Sequence, residues 1–369
     1  MTLLLIIFFL AAVLIINLPP KAFFKKIAFW LALFLLLLQL VFVFLPRSLW
    51  TGLNTLCSSN NFNMVQDSLS MVMLLSIAIV GLVALLVAKA HIKSENKLFN
   101  FVCLLLLCCI GMNGMVVVTD LFTLYLFLEI VAAAVYIMIV FEKNQNAYEG
   151  AFKYFILSAI ATTLMLAGVG LTLSTVGALS FTALQIYFAN TAQISAGATI
   201  GVLLFMAGLF IKSGLVPFHG WLPDAYQAAP NPVSILLAGI VTKSSGVYAL
   251  VRLGMLGVLV PESLKTLLLA FGAATILIGA LAALWQKDFK RMLAYSSISQ
   301  VGYIVLSLGA GTLLGYAGAI FHMFNHAILK SLLFVNSAAV ESRTGTRDMD
   351  AMGGFAAKMP WTGATSVIG

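Results

Sequence analysis

Charged side chains are scarce in this sequence. They make up 9% of its 369 residues, whereas hydrophobic residues make up 62% and the mean hydropathy is +1.09. Because soluble domains carry about 25% charged residues, this composition excludes a water-soluble globular protein. Cysteine is also rare, and its four residues follow no metal or redox spacing, which excludes a disulfide scaffold. The apolar runs are continuous and do not alternate with period two, which disfavours an outer-membrane barrel.

Several motifs that would bind a cofactor are absent from the sequence. It contains no glycine-rich dinucleotide loop, no P-loop, no CxxC cluster and no nucleophile elbow. We therefore expect no cofactor in this chain and no active site of its own. If the protein moves a solute uphill, the energy must come from an ion gradient or from a partner.

Hydropathy predicts eleven membrane helices and the start of a twelfth near Pro360. The eleven predicted helices cover residues 2–18, 27–46, 69–90, 98–118, 120–141, 150–176, 194–215, 231–253, 264–285, 292–310 and 313–338. No basic region precedes the first run, so we expect a membrane helix there and not a cleaved signal peptide. The sequence thus predicts an all-α polytopic membrane protein with about 11–12 transmembrane helices.

The basic residues are unevenly divided between the two sides of these predicted spans. Fourteen Lys and Arg residues fall on one side, three on the other (Arg47, Arg252 and Lys265), and three inside apolar runs. The positive-inside rule then places the N terminus outside and the connection with Lys21 in the cytoplasm or its organellar equivalent. The net charge of +8 is therefore an orientation signal and does not indicate nucleic-acid binding. The expected location is the cytoplasmic membrane or an organellar inner membrane.

Glu129, Lys212, Lys243 and Lys330 are ionisable residues that lie within the apolar runs of the predicted spans. Such a group costs about 2.5–3.5 kcal/mol at the bilayer centre, so it usually faces other helices or water and serves ion movement. The run 213–223 is rich in glycine and proline, which predicts that the helix breaks just after Lys212. A broken helix at membrane depth must line a cavity or be covered by protein. Snorkelling of Lys212 to a nearby interface is the alternative.

A polar stripe is predicted on the 313–338 helix. His322, His326 and Lys330 are spaced at i, i+4 and i+8, which places them on one helix face over about 12 Å. Histidine titrates near neutral pH, so the stripe favours proton relay. A metal held by the two histidines and simple hydrogen bonding between helices remain alternatives. Further polar residues are candidate lining of the same path: His219, Asp224, Ser299 and Tyr303.

A mechanism follows from these residue types. If helix packing brings Glu129 to Lys212, a contact that breaks and re-forms would change the proton affinity of both groups. Lys243 and the stripe that ends at Lys330 would then carry the proton across the middle of the membrane. Two other classes of protein compete with this hypothesis, a stand-alone carrier for an organic solute and a purely structural membrane subunit.

Four segments resemble a known family. They are FIKSGLVPFHGWLPDA at 210–225 with APNPVSILLAG at 229–239, DFKRMLAYSSISQVG at 288–302, HMFNHAILKSLLF at 322–334, and GTRDMD at 345–350. They resemble the proton-conducting antiporter-like subunits, which occur in respiratory complex I, multisubunit sodium/proton antiporters and membrane-bound energy-converting hydrogenases. The resemblance covers most of the chain from about residue 100 onward.

The resemblance implies two inverted five-helix repeats, each with a broken helix and half of a proton path. The implied divisions are three N-terminal helices in 1–95, a first repeat in 96–255 and a second in 256–369, which would be incomplete because the family has about fourteen helices. Glu129, Lys212 and Lys243 match the carboxylate of the fifth helix and the lysines of the seventh and eighth. The stripe from His322 to Lys330 matches the polar axis of the eleventh helix.

The resemblance also implies an assembly. We expect this chain to be the proton-translocating subunit, with possible sodium/proton exchange, of a complex with other antiporter-like and small membrane subunits. A peripheral redox arm would drive it, and iron–sulfur, nickel–iron or flavin centres would belong to partner subunits. A multisubunit sodium/proton antiporter without a redox partner is the alternative.

Overall fold

The computed structural model describes residues 2–19, 21–45, 67–191, 193–257 and 262–369. Arg47 and Cys57, which entered the sequence analysis, lie outside the described residues. Over the described ranges the chain consists of helices joined by short connections, and its one isolated antiparallel bridge joins Asp288 to Asp348. The predicted all-α membrane fold class is confirmed, since ten of the described helices are long and apolar enough to cross a membrane.

The chain divides into two compact units, of which the first is Met1–Met138. Its helices are α1 (Thr2–Ile16), α2 (Lys21–Val43), α3 (Ser68–His91), α4 (Glu95–Val117) and α5 (Leu121–Ile139). Leucine-rich composition gives these helices their apolar surfaces, and α3 begins where the Asp67 carboxylate accepts the backbone N–H of Ser70. A reciprocal amide pair lies between α2 and α4. Gln39 and Asn113 donate to each other at 3.0 and 2.9 Å, and both are almost fully buried.

The second unit, Ile139–Gly369, holds the remaining helices. They are α6 (Gln145–Val176), α7 (Phe181–Asn190), α8 (Ala196–Ser213), α9 (Trp221–Ala228), α10 (Asn231–Met255), α11 (Glu262–Leu284), α12 (Phe289–Gly309), α13 (Leu313–Thr344), α14 (Phe355–Lys358) and α15 (Pro360–Ile368). The short helix α7 was not predicted from hydropathy. The predicted break after Lys212 is present, because α8 ends at Ser213 and α9 begins only at Trp221.

Glycine allows the helices of the second unit to approach closely. A Cβ at Gly168 on α6 would lie 2.6 Å from the carbonyl oxygen of Gly201 on α8, and a Cβ at Gly208 would lie 2.7 Å from that of Ala161. The same occurs at the seam of α11 and α12, where a Cβ at Gly272 would meet the backbone of Leu306 at 2.6 Å. Small residues at helix contacts are typical of membrane proteins, where van der Waals packing holds helices together. The division into inverted repeats stays a prediction.

Candidate functional site

The break between α8 and α9 is built by glycine and by side-chain bonds to freed backbone groups. Gly214 ends α8 with φ of +69°, a left-handed conformation that glycine adopts without strain. The indole N–H of Trp221 donates to the Ile211 carbonyl at 3.0 Å. The backbone N–H of Val216 donates to the Thr275 hydroxyl of α11 at 3.2 Å. These bonds satisfy polar backbone groups that membrane lipid could not satisfy.

Lys212 lies in the last turn of α8, just before this break. Its side chain is 3% exposed, and its ammonium donates to the Ser158 hydroxyl of α6 at 2.6 Å. The close approach of α6 and α8 at their glycines brings these two side chains together. The lysine therefore lies inside the helix packing of the second unit.

Lys243 lies on α10, in a part of the helix with unusual backbone geometry. Two π-helical segments, Leu237–Val241 and Lys243–Val247, follow each other within α10. Each wide turn replaces i→i+4 bonds by i→i+5 bonds, a geometry found often at functional sites. Lys243 is fully buried, and its ammonium donates to the Ala238 carbonyl in the first π segment.

The neighbouring carbonyl of the same π segment is also bonded by side chains. The Tyr226 hydroxyl of α9 donates to the Leu237 carbonyl at 2.8 Å and lies 3.1 Å from the Thr242 hydroxyl. The Thr242 hydroxyl donates to the Leu237 carbonyl at 3.1 Å. α9 thus touches the turn that holds Lys243.

The stripe on α13 lies beside Lys243. The rings of His322 and His326 stack with centroids 6.1 Å apart and an interplanar angle of 14°. Lys330 is 5% exposed and donates to the Ser296 hydroxyl of α12 at 2.6 Å. His326 is 2% exposed, and neither ring nitrogen has a hydrogen-bond partner among the described residues. It is close enough to Lys243, Lys330 and His322 to interact with their charges.

The four residues that the sequence analysis named as candidate lining, His219, Asp224, Ser299 and Tyr303, lie in different surroundings. The Tyr303 ring is 45% exposed and packs edge-on against His322 at 6.0 Å, so it borders the stripe. Ser299 donates to the Ile276 carbonyl at the seam of α11 and α12. His219 lies in the break, 6.5 Å from the Tyr295 ring.

Asp224 lies in the first turn of α9 and belongs to a charged network that extends to the C-terminal end of this short helix. Its carboxylate binds the Lys153 ammonium at 2.6 Å and the Arg291 guanidinium at 2.8 Å. Arg347, from the segment after α13, donates to the Gln227 carbonyl at 2.8 Å. Lys290 donates to the Ala229 carbonyl at 2.9 Å. We call Lys153, Lys290, Arg291 and Arg347 the α9 clamp.

A cavity of about 290 Å³ opens beside the α9 clamp. Asn144, Asn146, Glu149, Asp224, Gln227, Arg291 and Arg347 line it. Polar and charged side chains dominate this lining, so the cavity is suited to hold water. Within the described part of the chain, no three His, Cys, Asp or Glu side chains are grouped as metal ligands.

Glu129 lies in the first unit, on α5. Its side chain is half-buried, and its charge acts on Tyr125 one turn earlier in the same helix. Its contact with Lys212 stays a prediction.

Two buried basic residues escaped the sequence analysis, which counted both in connections. α10 continues to Met255, so Arg252 lies inside this span, 4% exposed, with its guanidinium 2.7 Å from the Tyr248 hydroxyl. α12 begins at Phe289, so Lys290 is helical and 2% exposed. Hydropathy alone could not find them because each lies near the end of its apolar run.

Comparison with known proteins gives a family and several relatives. Residues 118–369 match the model of a family described as NADH:quinone oxidoreductase/Mrp antiporter, transmembrane. The N-type subunit of the NADH-quinone oxidoreductase of Desulforudis audaxviator is 37% identical over 304 residues, which are 81% of this chain and 60% of the relative. The D-type subunit of the Na⁺/H⁺ antiporter of Alkalihalophilus pseudofirmus is 34% identical over 299 residues, again 81% of this chain and 60% of the relative. This chain therefore spans 60% of the length of both relatives.

A solved structure shares the fold. A chain of the membrane-bound sulfane sulfur reductase, an archaeal respiratory membrane complex, matches 100% of this chain with a TM-score of 0.86 and 29% identity. The match covers 76% of that chain. The similarity thus extends over every helix described above.

Proposed function

Because the chain belongs to the NADH:quinone oxidoreductase/Mrp antiporter transmembrane family, we propose that it is the ion-translocating subunit of a multisubunit membrane complex. The protein is a multi-pass integral membrane protein with ten described helices long enough to span. We propose that the ion is the proton. Exchange of sodium for protons is the alternative, which the similarity to the D-type antiporter subunit suggests.

A group of basic side chains lies in the helical interior of the second unit, and this observation supports the proposal most directly. Lys243 is fully buried, and Lys330 and His326 beside it are 5% and 2% exposed. A membrane protein that needed only packing energy would place apolar side chains there, because buried ionisable groups are costly. Their retention supports a path for ions.

The chemistry of the group suits proton transfer. Like charges in close contact disfavour each other, so a proton that arrives at Lys330 promotes proton loss from its neighbours. His326 is close enough to both lysines to interact with their charges, and an imidazole can accept a proton on one nitrogen and release one from the other. We propose that Glu129 and Lys212 take part in the path and that Lys243, His326 and Lys330 form its middle, with His322 at the far end of the stripe.

The energy source is the second element of the proposal. The N-type relative belongs to a quinone-linked oxidoreductase, and the sulfane sulfur reductase is a respiratory complex, so we propose a redox-driven assembly. Its redox arm and its iron–sulfur, nickel–iron or flavin centres would lie in partner subunits. An antiporter assembly with membrane subunits alone is the second candidate, supported by the 34% identity to the D-type relative. The distribution of Lys and Arg supports an N terminus outside.

Neutralising Lys243 tests ion translocation. In the native complex reconstituted into liposomes, Lys243→Met should lower proton translocation at least tenfold, because methionine keeps most of the length of the unbranched side chain but has no group that can carry a proton. Lys358→Met, at an exposed lysine, is the matched control and should translocate normally. Normal translocation by both Lys243→Met and Lys330→Met in an intact complex would refute the proposal.

Mass spectrometry of the purified complex decides the energy source, since redox subunits are bound only in a redox-driven assembly.

A further inference from the structure

Four basic side chains from three separate parts of the second unit bind the short helix α9 or the residue that follows it. Lys153 of α6 and Arg291 of α12 bind Asp224, Arg347 binds the Gln227 carbonyl, and Lys290 binds the Ala229 carbonyl. The segment that carries Arg347 is itself held against α12. The backbone N–H of Phe289 donates to the Arg347 carbonyl at 3.0 Å. The clamp therefore ties α9 to elements far away in the sequence.

The clamp meets a physical need of this helix. α9 has only eight residues, and isolated helices of that length are unstable. The last carbonyls of a helix also lack intrahelical partners and carry a partial negative charge, which cations stabilise. Arg347 and Lys290 supply those cations at Gln227 and Ala229, so the position of α9 depends on them.

The position of α9 in turn fixes a side chain in the interior. Tyr226 is fully buried on α9, and its hydroxyl donates to the Leu237 carbonyl and contacts Thr242. The next carbonyl, that of Ala238, accepts the Lys243 ammonium. A displacement of α9 would therefore change the π segment whose carbonyl holds this lysine.

We propose that the α9 clamp positions Lys243 through the Tyr226 hydroxyl. Arg291, Arg347 and Tyr226 are then positioning residues of the ion path, although none of them carries the ion. The effect of the clamp on ion transport rests on the proposed function. Its geometric part, a clamp that holds the π segment, can be measured independently.

Hydrogen–deuterium exchange of the purified complex tests the geometric part. Arg347→Gln removes a cation from the clamp, and Tyr226→Phe removes only the hydroxyl. Both should make the amides of 237–247 exchange at least tenfold faster, because Tyr226→Phe removes a bond to the π segment and Arg347→Gln loosens the helix that positions Tyr226. Arg343→Gln and Tyr187→Phe are the matched controls, an exposed arginine of α13 and a tyrosine on α7 that bonds Ser195. Neither control should change exchange over 237–247.

Translocation by the same variants in liposomes tests the consequence. Tyr226→Phe should slow proton translocation at least fivefold and displace its pH profile, since the bond at Lys243 changes. The titratable groups on the elements around this segment are His322, His326 and Lys330 of α13, Lys212 of α8, and Tyr226 itself. The double variant Arg347→Gln/Tyr226→Phe should be no slower than the slower single variant, because both act through one connection.

The outcomes separate the two proposals. Unchanged exchange over 237–247 in both Arg347→Gln and Tyr226→Phe overturns the inference, whatever the translocation rates. Faster exchange with an unchanged rate and pH profile also overturns it, because the clamp would then hold the segment without serving transport. Normal translocation by both Lys243→Met and Lys330→Met overturns the proposed function instead.

Discussion

A methyl group added at Gly246 would test how closely the end of α8 must pack on α10. An ideal Cβ at Gly246 would lie 2.2 Å from the Ser213 hydroxyl oxygen and 2.7 Å from the Ser213 backbone nitrogen. Rotation of the serine side chain can relieve the first clash. The second involves backbone, so Gly246→Ala can fit only if α8 and α10 separate next to Lys212.

The expected magnitude follows from this geometry. Extra atoms forced into a packed interior cost about 1–3 kcal/mol. In a unit as large as Ile139–Gly369, each kcal/mol lost from the free energy of unfolding lowers Tm by about 2–4 °C. Gly246→Ala should therefore lower Tm by roughly 2–12 °C. Because Lys212 is the residue before Ser213, its ammonium should also move away from Ser158. We expect proton translocation to fall at least tenfold, since displacements of about 1 Å can cost this much.

Thermal unfolding in detergent and translocation in liposomes provide the two readouts. Gly170→Ala is the matched control, because a Cβ at this glycine of α6 would meet nothing within 4 Å. Alanine is favoured over glycine in a helix by about 0.5–1 kcal/mol, so the control should keep or slightly raise Tm. An equal or higher Tm for Gly246→Ala would refute the close packing of α8 on α10 described above.

Two further predictions concern buried polar contacts. Gln39→Leu should lower the free energy of unfolding by about 1–3 kcal/mol, because the Asn113 amide loses its partner. The double variant Gln39→Leu/Asn113→Leu should lower the free energy of unfolding by less than twice that amount. Additive losses in thermal unfolding would contradict the reciprocal pair. Ser158→Ala removes the hydroxyl 2.6 Å from the Lys212 ammonium and should slow translocation about tenfold. Thr163→Val, on the same helix with a hydroxyl bonded only to its own turn, should leave the rate unchanged, and equal rates in both variants would exclude a role for this contact.

Much of the fold could be predicted because membrane helices are signalled by local composition. The break after Lys212 followed from the glycines and prolines of 213–223, whose backbone effects act within a few residues. The stripe of α13 followed from helix periodicity, and His322 and His326 do lie on one face, with their rings stacked. In each case the determining information lies within about ten consecutive residues.

The features that the sequence did not predict depend on backbone geometry within a buried helix and on contacts between residues far apart in the chain. The π segments of α10 escaped notice because periodicity arguments assume 3.6 residues per turn, and because both segments are buried on all sides and show no exposed polar face to reveal their register. The contact of Arg347 with Gln227 joins residues 120 positions apart, which no local pattern encodes. The roles proposed for Glu129 and Lys212 stay predictions until translocation is measured.

The two π segments of α10 also have a consequence for comparing and engineering this span. Each residue advances an α-helix by about 100° around its axis, and a π turn accommodates one residue more than an α turn. Deleting one residue from 237–241 therefore removes the extra residue of the π turn, which restores ordinary α-helical geometry and leaves Lys243 on about the same side of the helix. A gap of one residue in this segment is absorbed by the π turn, whereas the same gap in a regular α-helix would rotate every later side chain by about 100°.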